Sequence, residues 1–131
     1  NVSPLYHFLR AQVRTSQIEA QPMNESEQRL RYLEILQDLK YCAASLPDFP
    51  YASYNLGNTC MKLKDYGTAV DAYSETIARD ADMPEAYYNR GVAYILLGKT
   101  EEGLADLSRA GELGLYQAYN LIKKHSKNRG H

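Results

Sequence analysis

A chain of 131 residues, 44% of them hydrophobic and with a net charge of -1, suits one domain and carries no basic excess that would advertise nucleic acid or an anionic membrane. No apolar run approaches the roughly 20 residues a membrane span needs, and the first residues lack the apolar stretch of a signal peptide, so a soluble chain is expected. The charge is uneven: residues 48 to 112 hold eleven Asp or Glu against six Lys or Arg, net -5, while 120 to 131 hold Lys123, Lys124, Lys127 and Arg129 and no acid, net +4.

In chain order, Ser3-Pro4 comes first and reads as a helix opening, because Pro needs no amide partner in a first turn. Leu5, Phe8, Leu9 and Val13 follow on one side of that helix. Asn24 with Glu27 resembles a capping box before a long helix to about Ser45. Leu30, Leu33, Ile35, Leu36, Leu39, Cys42 and Leu46 are its expected buried face, and Pro47 closes it. Pro50 and Pro84 then open two further helices, about 51 to 63 and 85 to 97. Gly98 suits the left-handed residue that ends the second of these, and Lys64 takes the same place in the first at some conformational cost. Partner helices follow near 67 to 79 and 100 to 112, Gly114-Leu115 is another stop, and a last helix runs from Tyr116 to about Lys124. It carries Tyr119, Leu121 and Ile122 against the preceding unit.

Two of these helix pairs are copies of one plan. Tyr54 and Tyr88, Asn55 and Asn89, Gly57 and Gly91, and Ala52 and Ala86 are each 34 residues apart, the mark of a stacked architecture. Gly57 precedes Ala69 by 12 positions and Gly91 precedes Gly103 by the same 12, so a small residue on each helix permits a close crossing. Leu56, Val70, Tyr73, Ile77, Tyr87, Tyr94, Leu97, Leu104, Leu107 and Leu113 recur at helical spacing as the expected interior. The 34-residue period, Leu56-Gly57, Gly91, Tyr94, Ala69, Tyr73 and Ala110 resemble the signature of the tetratricopeptide repeat (TPR), over roughly residues 50 to 114. Ser53 stands where Trp is usual, Cys60 where Tyr is, Arg90 where Leu is, and Ala81 and Leu115 where Pro is.

The resemblance implies an all-α, right-handed αα solenoid of seven helices, with TPR helix-turn-helix units and atypical end helices. Within one domain it divides the chain into a degenerate helix pair (1–49), two units (50–83 and 84–114), and a capping helix with a basic tail (115–131). It implies a concave groove lined by the first helix of each unit, binding a peptide or protein segment. Carried over by position, the groove residues are Tyr51, Tyr54, Asn55, Asn58, Met61 and Lys62, then Glu85, Tyr88, Asn89, Val92 and Ile95, with Asn120, Lys123 and Lys124 from the final helix. An Asn amide donates to one backbone group and accepts from another, and Tyr adds flat area with a polar tip. Asn55 and Asn89 have a second reading, as bonds within the fold or to the adjacent unit. A subclass of the family clamps a C-terminal carboxylate with Lys, Arg and two Asn; Asn58 and Asn89 match the two Asn, but Tyr54 replaces the Lys, which argues against chaperone tails. The net charge over 48 to 112 favours a neutral or basic segment.

Other chemistry finds little footing in the residues. Cys42 and Cys60 read as core thiols with no Cys-x-x-Cys pair, and His7, His125 and His131 read as surface or tail residues. Glu34 with Asp38 and Glu102 with Asp106 read as solvated helix faces. With no nucleophile–base pair, metal set or phosphate loop, neither an enzyme nor a cofactor is expected. No nucleic acid or membrane partner is expected either. The other reading is a scaffold or self-association segment of a larger multi-repeat protein, which suits a chain that starts at Asn1 without an initiator Met. The compartment expected is cytoplasmic, or periplasmic if a targeting segment precedes these residues.

Overall fold

The computed structural model describes residues 2–129, and residues 127–129 by their backbone alone. His131 and the side chains of Lys127 and Arg129 therefore lie outside the described residues. Among the described residues seven helices follow one another: α1 (Pro4–Ala20), α2 (Glu25–Ser45), α3 (Pro50–Lys62), α4 (Tyr66–Arg79), α5 (Pro84–Leu96), α6 (Thr100–Glu112) and α7 (Ala118–Arg129). Each packs on the next in the chain, which is the layout of a helical solenoid. Among the described residues no helix is long and apolar enough to cross a membrane.

Local chemistry explains the boundaries. Pro occupies the first turn of α1, α3 and α5, where its missing amide is no loss. Ser3 accepts from the Leu5 amide, Asn24 from Glu27 and Asp65 from Thr68, so α1, α2 and α4 each begin on a side-chain cap. Lys64 and Gly98 close α3 and α5 in the left-handed region, at φ 61° and 82°, as their equivalent places in the two units require. Gly114 does the same after α6, with the Leu115 amide donating back to the Ala110 carbonyl.

The core lies between successive helix layers. Phe8, Ile35, Leu39, Cys42, Leu56, Cys60, Val70 and Tyr73 form one continuous cluster, and Leu107, Ala110 and Ala118 a second under α7. Close approach is achieved differently in the two units. A Cβ on Gly91 would stand 2.9 Å from the Gly103 carbonyl oxygen and 3.1 Å from Leu107 Cγ, so α5 and α6 touch through glycine. At Gly57 the space is instead filled by the Tyr73 ring, whose edge would lie 2.5 Å from an added Cβ.

Leu5, Leu9 and Val13 face outward at 49–58% exposure, because α1 packs along α2 and presents Phe8, Ala11 and Ile18 to it. Several sequence expectations require correction. On α2 the buried face includes Tyr32, while Leu30 and Leu33 are exposed. Leu97 is exposed at the end of α5. The last helix starts at Ala118 and runs to Arg129, and Tyr119 is half exposed with its ring over Gly111. Asp38 and Asp106 are buried and paired, not solvated, and His7 is one of the partners of Asp38.

Candidate peptide-binding groove

A groove of about 270 Å³ runs between α1 and α3. Gln12, Thr15 and Ser16 of α1 form one wall and Asn55, Asn58 and Lys62 of α3 the other, with Tyr32 and Leu39 of α2 in the floor. Three, four and seven residues separate Asn55, Asn58 and Lys62 pairwise, the spacing that puts them on one helix face.

Two asparagines are held in a fixed orientation. Tyr73, fully buried, donates its hydroxyl to Asn58 Oδ1 at 2.5 Å, and Asn89 Nδ2 donates to the same oxygen at 3.0 Å. The second Asn89 proton goes to the Tyr54 hydroxyl at 3.0 Å. The network ties α3, α4 and α5 together, and it uses up one half of each amide. Asn89 Oδ1 accepts no hydrogen bond within the network, and the N–H side of Asn58 faces the Tyr54 phenol, whose charged form it favours. Burial pushes both phenols up, Tyr73 most strongly, with hydrogen bonds from the asparagines opposing it, so both stay neutral at physiological pH.

The other expected groove residues are scattered. Tyr51 is half exposed with its ring against Phe49, at the start of α3. Tyr54 and Met61 are half-buried against the first core cluster, and Tyr88 and Ile95 against the second. Val92 is half-buried, while Glu85, Asn120, Lys123 and Lys124 are exposed. Gln12, Thr15, Ser16 and Tyr32 were absent from the sequence reading. At 21 residues, α2 is longer than α4 at 14, so the 34-residue register does not carry back to α1.

Charges are placed where they join helices. Asp38 accepts from Arg10 Nη2 at 2.6 Å, Arg10 Nε at 3.0 Å and Arg14 Nη1 at 3.0 Å, and His7 Nδ1 lies 2.9 Å from it. Burial opposes the Asp38 charge, but the hydrogen bonds from Arg10 and His7 and the charges of Arg10 and Arg14 prevail and hold the carboxyl below its usual range. Arg79 donates to the carbonyls of Ala43, Leu46 and Phe49, satisfying the end of α2. Cys42 and Cys60 are free and buried, and burial pushes the Cys60 thiol up to about 11, which makes it a poor nucleophile. Among the described residues no group of three or more His, Cys, Asp or Glu is placed to hold a metal ion.

Paired antiparallel helices stacked in chain order, with a polar groove along one side, define an αα-repeat solenoid. Residues 57–98 match the family model described as TPR repeat, and residues 84–113 match one described as tetratricopeptide repeat. Residues 57–113, which these two matches span together, are thus tetratricopeptide repeats. It is 32% identical over 57 residues, 44% of its length, to the small glutamine-rich tetratricopeptide repeat-containing protein 2 of Mycosarcoma maydis, and spans 16% of that protein. It is 42% identical over 57 residues, again 44% of its length, to the Hsp70-Hsp90 organizing protein 3 of Arabidopsis thaliana, and spans 10% of it. The chain thus covers a small part of the curated relatives it matches. Among solved structures, the first TPR of Spaghetti (RPAP3), bound to an HSP90 peptide, superposes with a TM-score of 0.80 at 20% identity, covering 99% of this chain and 98% of that one.

Proposed function

We propose that the chain is a protein-interaction module that holds an extended peptide segment across the groove, from the wall of α1 over α3 to Asn89 on α5. The observation that carries this reading is the half-committed pair of amides. Tyr73 and Tyr54 hold Asn58 and Asn89 so that Asn58, which lines the groove, has only N–H left to give, and Asn89, beyond the groove on α5, only C=O. An extended backbone presents the reverse, alternating C=O and N–H along its length. Asn55 and Gln12 add one free amide on each wall, and Lys62 adds a cation at one end. Because the amides are oriented before binding, little rotamer freedom is lost on binding.

The fold of this chain is that of a domain that, in the RPAP3 structure, is bound to an HSP90 peptide, and three relatives in sequence are named as Hsp70-Hsp90 organizing proteins. Those chaperone partners belong to those proteins. In this chain Tyr54 occupies the place where the carboxylate-binding subclass has Lys, and its hydroxyl accepts from Asn89. The net -5 over residues 48 to 112 favours a neutral or basic segment over an acidic tail. The module acts by binding, without chemistry of its own.

Affinity capture from the source organism, followed by arrays of overlapping peptides from each captured protein, tests the reading. Binding is expected to map to short linear segments, and Asn55→Ala is expected to weaken it. A captured partner whose binding is indifferent to Asn55→Ala and to Asn58→Asp would place its docking surface elsewhere.

A further inference from the structure

The outer face of α1 from Leu5 to Val13 is apolar, and the exposed acid Glu19 lies beyond its end. Val2, Leu5, Tyr6, Leu9 and Val13 are 49–58% exposed, and the other exposed residues between positions 2 and 17 are Ser3, Gln12, Ser16 and Gln17. The imidazole and guanidinium side chains of this stretch, His7, Arg10 and Arg14, are turned to Asp38 of α2, with Arg10 also over the Tyr6 ring. Leu5, Leu9 and Val13 are spaced by four, so they form one ridge along a 17-residue helix about 25 Å long. Among the described residues nothing covers that ridge. Contiguous exposed apolar surface of this kind marks an association site.

We infer that this ridge is the contact of a weak two-fold homodimer, with α1 of one copy lying antiparallel on α1 of a second. Two features select a second copy as the occupant. The ridge residues carry no charge, and the cations beside them, Arg10 and Arg14, are paired to Asp38, so the ridge does not attract a charged partner and its repulsion of its own image is offset by those pairs. The ridge is also self-complementary: with Leu9 on the two-fold axis, Leu5 of each copy faces Val13 of the other, and apolar meets apolar along the whole contact. A lipid surface is disfavoured because Arg10 and Arg14, the cations that would reach for anionic headgroups, are spent on Asp38. One helix face is smaller than the roughly 800 Å² per partner of a standard interface, so the dimer is concentration-dependent. Gln12 and Ser16 flank the ridge and also form the α1 wall of the groove, so the two surfaces adjoin, but Leu5, Leu9 and Val13 themselves do not line the groove.

Sedimentation velocity of the 131-residue chain from about 10 µM to about 1 mM tests it. The expected result is a monomer–dimer equilibrium that Leu9→Glu weakens by at least about a hundredfold, since it sets two carboxylates against each other on the axis. Leu9 is 58% exposed, so helix content and melting temperature should be unchanged, and Leu9→Gln provides an uncharged second variant. Under mild oxidation Leu9→Cys should form a disulfide dimer, and Leu5→Cys should cross-link with Val13→Cys but not with itself. A chain that stays monomeric throughout, a dimer indifferent to Leu9→Glu, or self-linking of Leu5→Cys would overturn the proposal. So would binding of the monomer to phosphatidylcholine vesicles that Leu9→Glu abolishes, which would make the ridge a lipid contact.

Discussion

Arg90 and Asp106 meet through two parallel hydrogen bonds, Nε to Oδ2 at 2.7 Å and Nη2 to Oδ1 at 2.8 Å. Asp106 is buried, and the third Arg90 donor reaches Ser74 Oγ at 3.1 Å, so one guanidinium joins α4, α5 and α6. Arg90 stands where the family usually has Leu, and the pair replaces a dry contact with an ionic one. Asp106→Ala is therefore expected to lower stability by about 2 to 4 kcal/mol, because it strands a largely buried cation. Arg90→Leu with Asp106→Leu together should cost less than Asp106→Ala alone, since no charge is left unpaired. Urea denaturation of the three chains checks the order.

Asp38 makes stability depend on acid. Its carboxyl is held below the ordinary value of 3.8, so the unfolded chain takes up a proton before the folded one does. The contribution is fully present above that value and is lost as pH falls through the lower, folded one. Asp38→Asn should thus cost about 2 kcal/mol at pH 7 through weakened charged hydrogen bonds. Compared by urea midpoint at about pH 3, the gap between the variant and the natural chain should be narrower.

Glycine positions separate space from conformation. Gly91→Leu is expected to cost at least about 1 to 3 kcal/mol, because its first carbon already meets the Gly103 backbone. At Gly67, in the first turn of α4, an added Cβ meets nothing within 4 Å. Gly67→Ala should accordingly raise stability by a few tenths to about 1 kcal/mol, by restricting the unfolded chain. Thermal melts of both variants test the contrast.

Removing the last helix is expected to uncover the second core cluster. Ala118, Leu121 and Ile122 of α7 pack on Leu107 and Ala110, and the Tyr119 ring covers Gly111. A chain ending at Gly114 should aggregate or melt earlier than the full chain, as a solenoid without its end piece does. Light scattering during a thermal ramp reads both effects.

The helix pairs were legible because their signals are local or periodic. Pro50 and Pro84, the Lys64 and Gly98 stops and the Gly91–Gly103 spacing each specify geometry within one unit, and each is where it was expected. Burial was less legible. Leu5, Leu9 and Val13 show that α1 has an apolar face, but periodicity says nothing about whether another element covers it. Asp38 looked like half of a solvated pair with Glu34 because its partners Arg10 and Arg14 are 28 and 24 residues away. The same distance hid the state of the asparagines. Which half of Asn58 is free depends on Tyr73, on another helix, and Tyr73 read only as core.

That network changes what a test of the groove must be. Asn58→Ala would strand the buried Tyr73 hydroxyl, so lost binding would be confounded with lost stability. Asn58→Asp keeps an acceptor for Tyr73 and Asn89 and turns the outward N–H donor into an acceptor, while Asn55 makes no side-chain bond within the fold. The most direct measurement is calorimetric titration of a peptide, selected by display on the natural chain, into the natural chain and the Asn55→Ala, Asn58→Asp double variant, with both melting temperatures recorded. Two lost contacts of about 0.5 to 1.5 kcal/mol each predict an affinity about ten to a hundredfold weaker with the melting temperature retained. Unchanged affinity at unchanged stability would contradict the groove as the binding site.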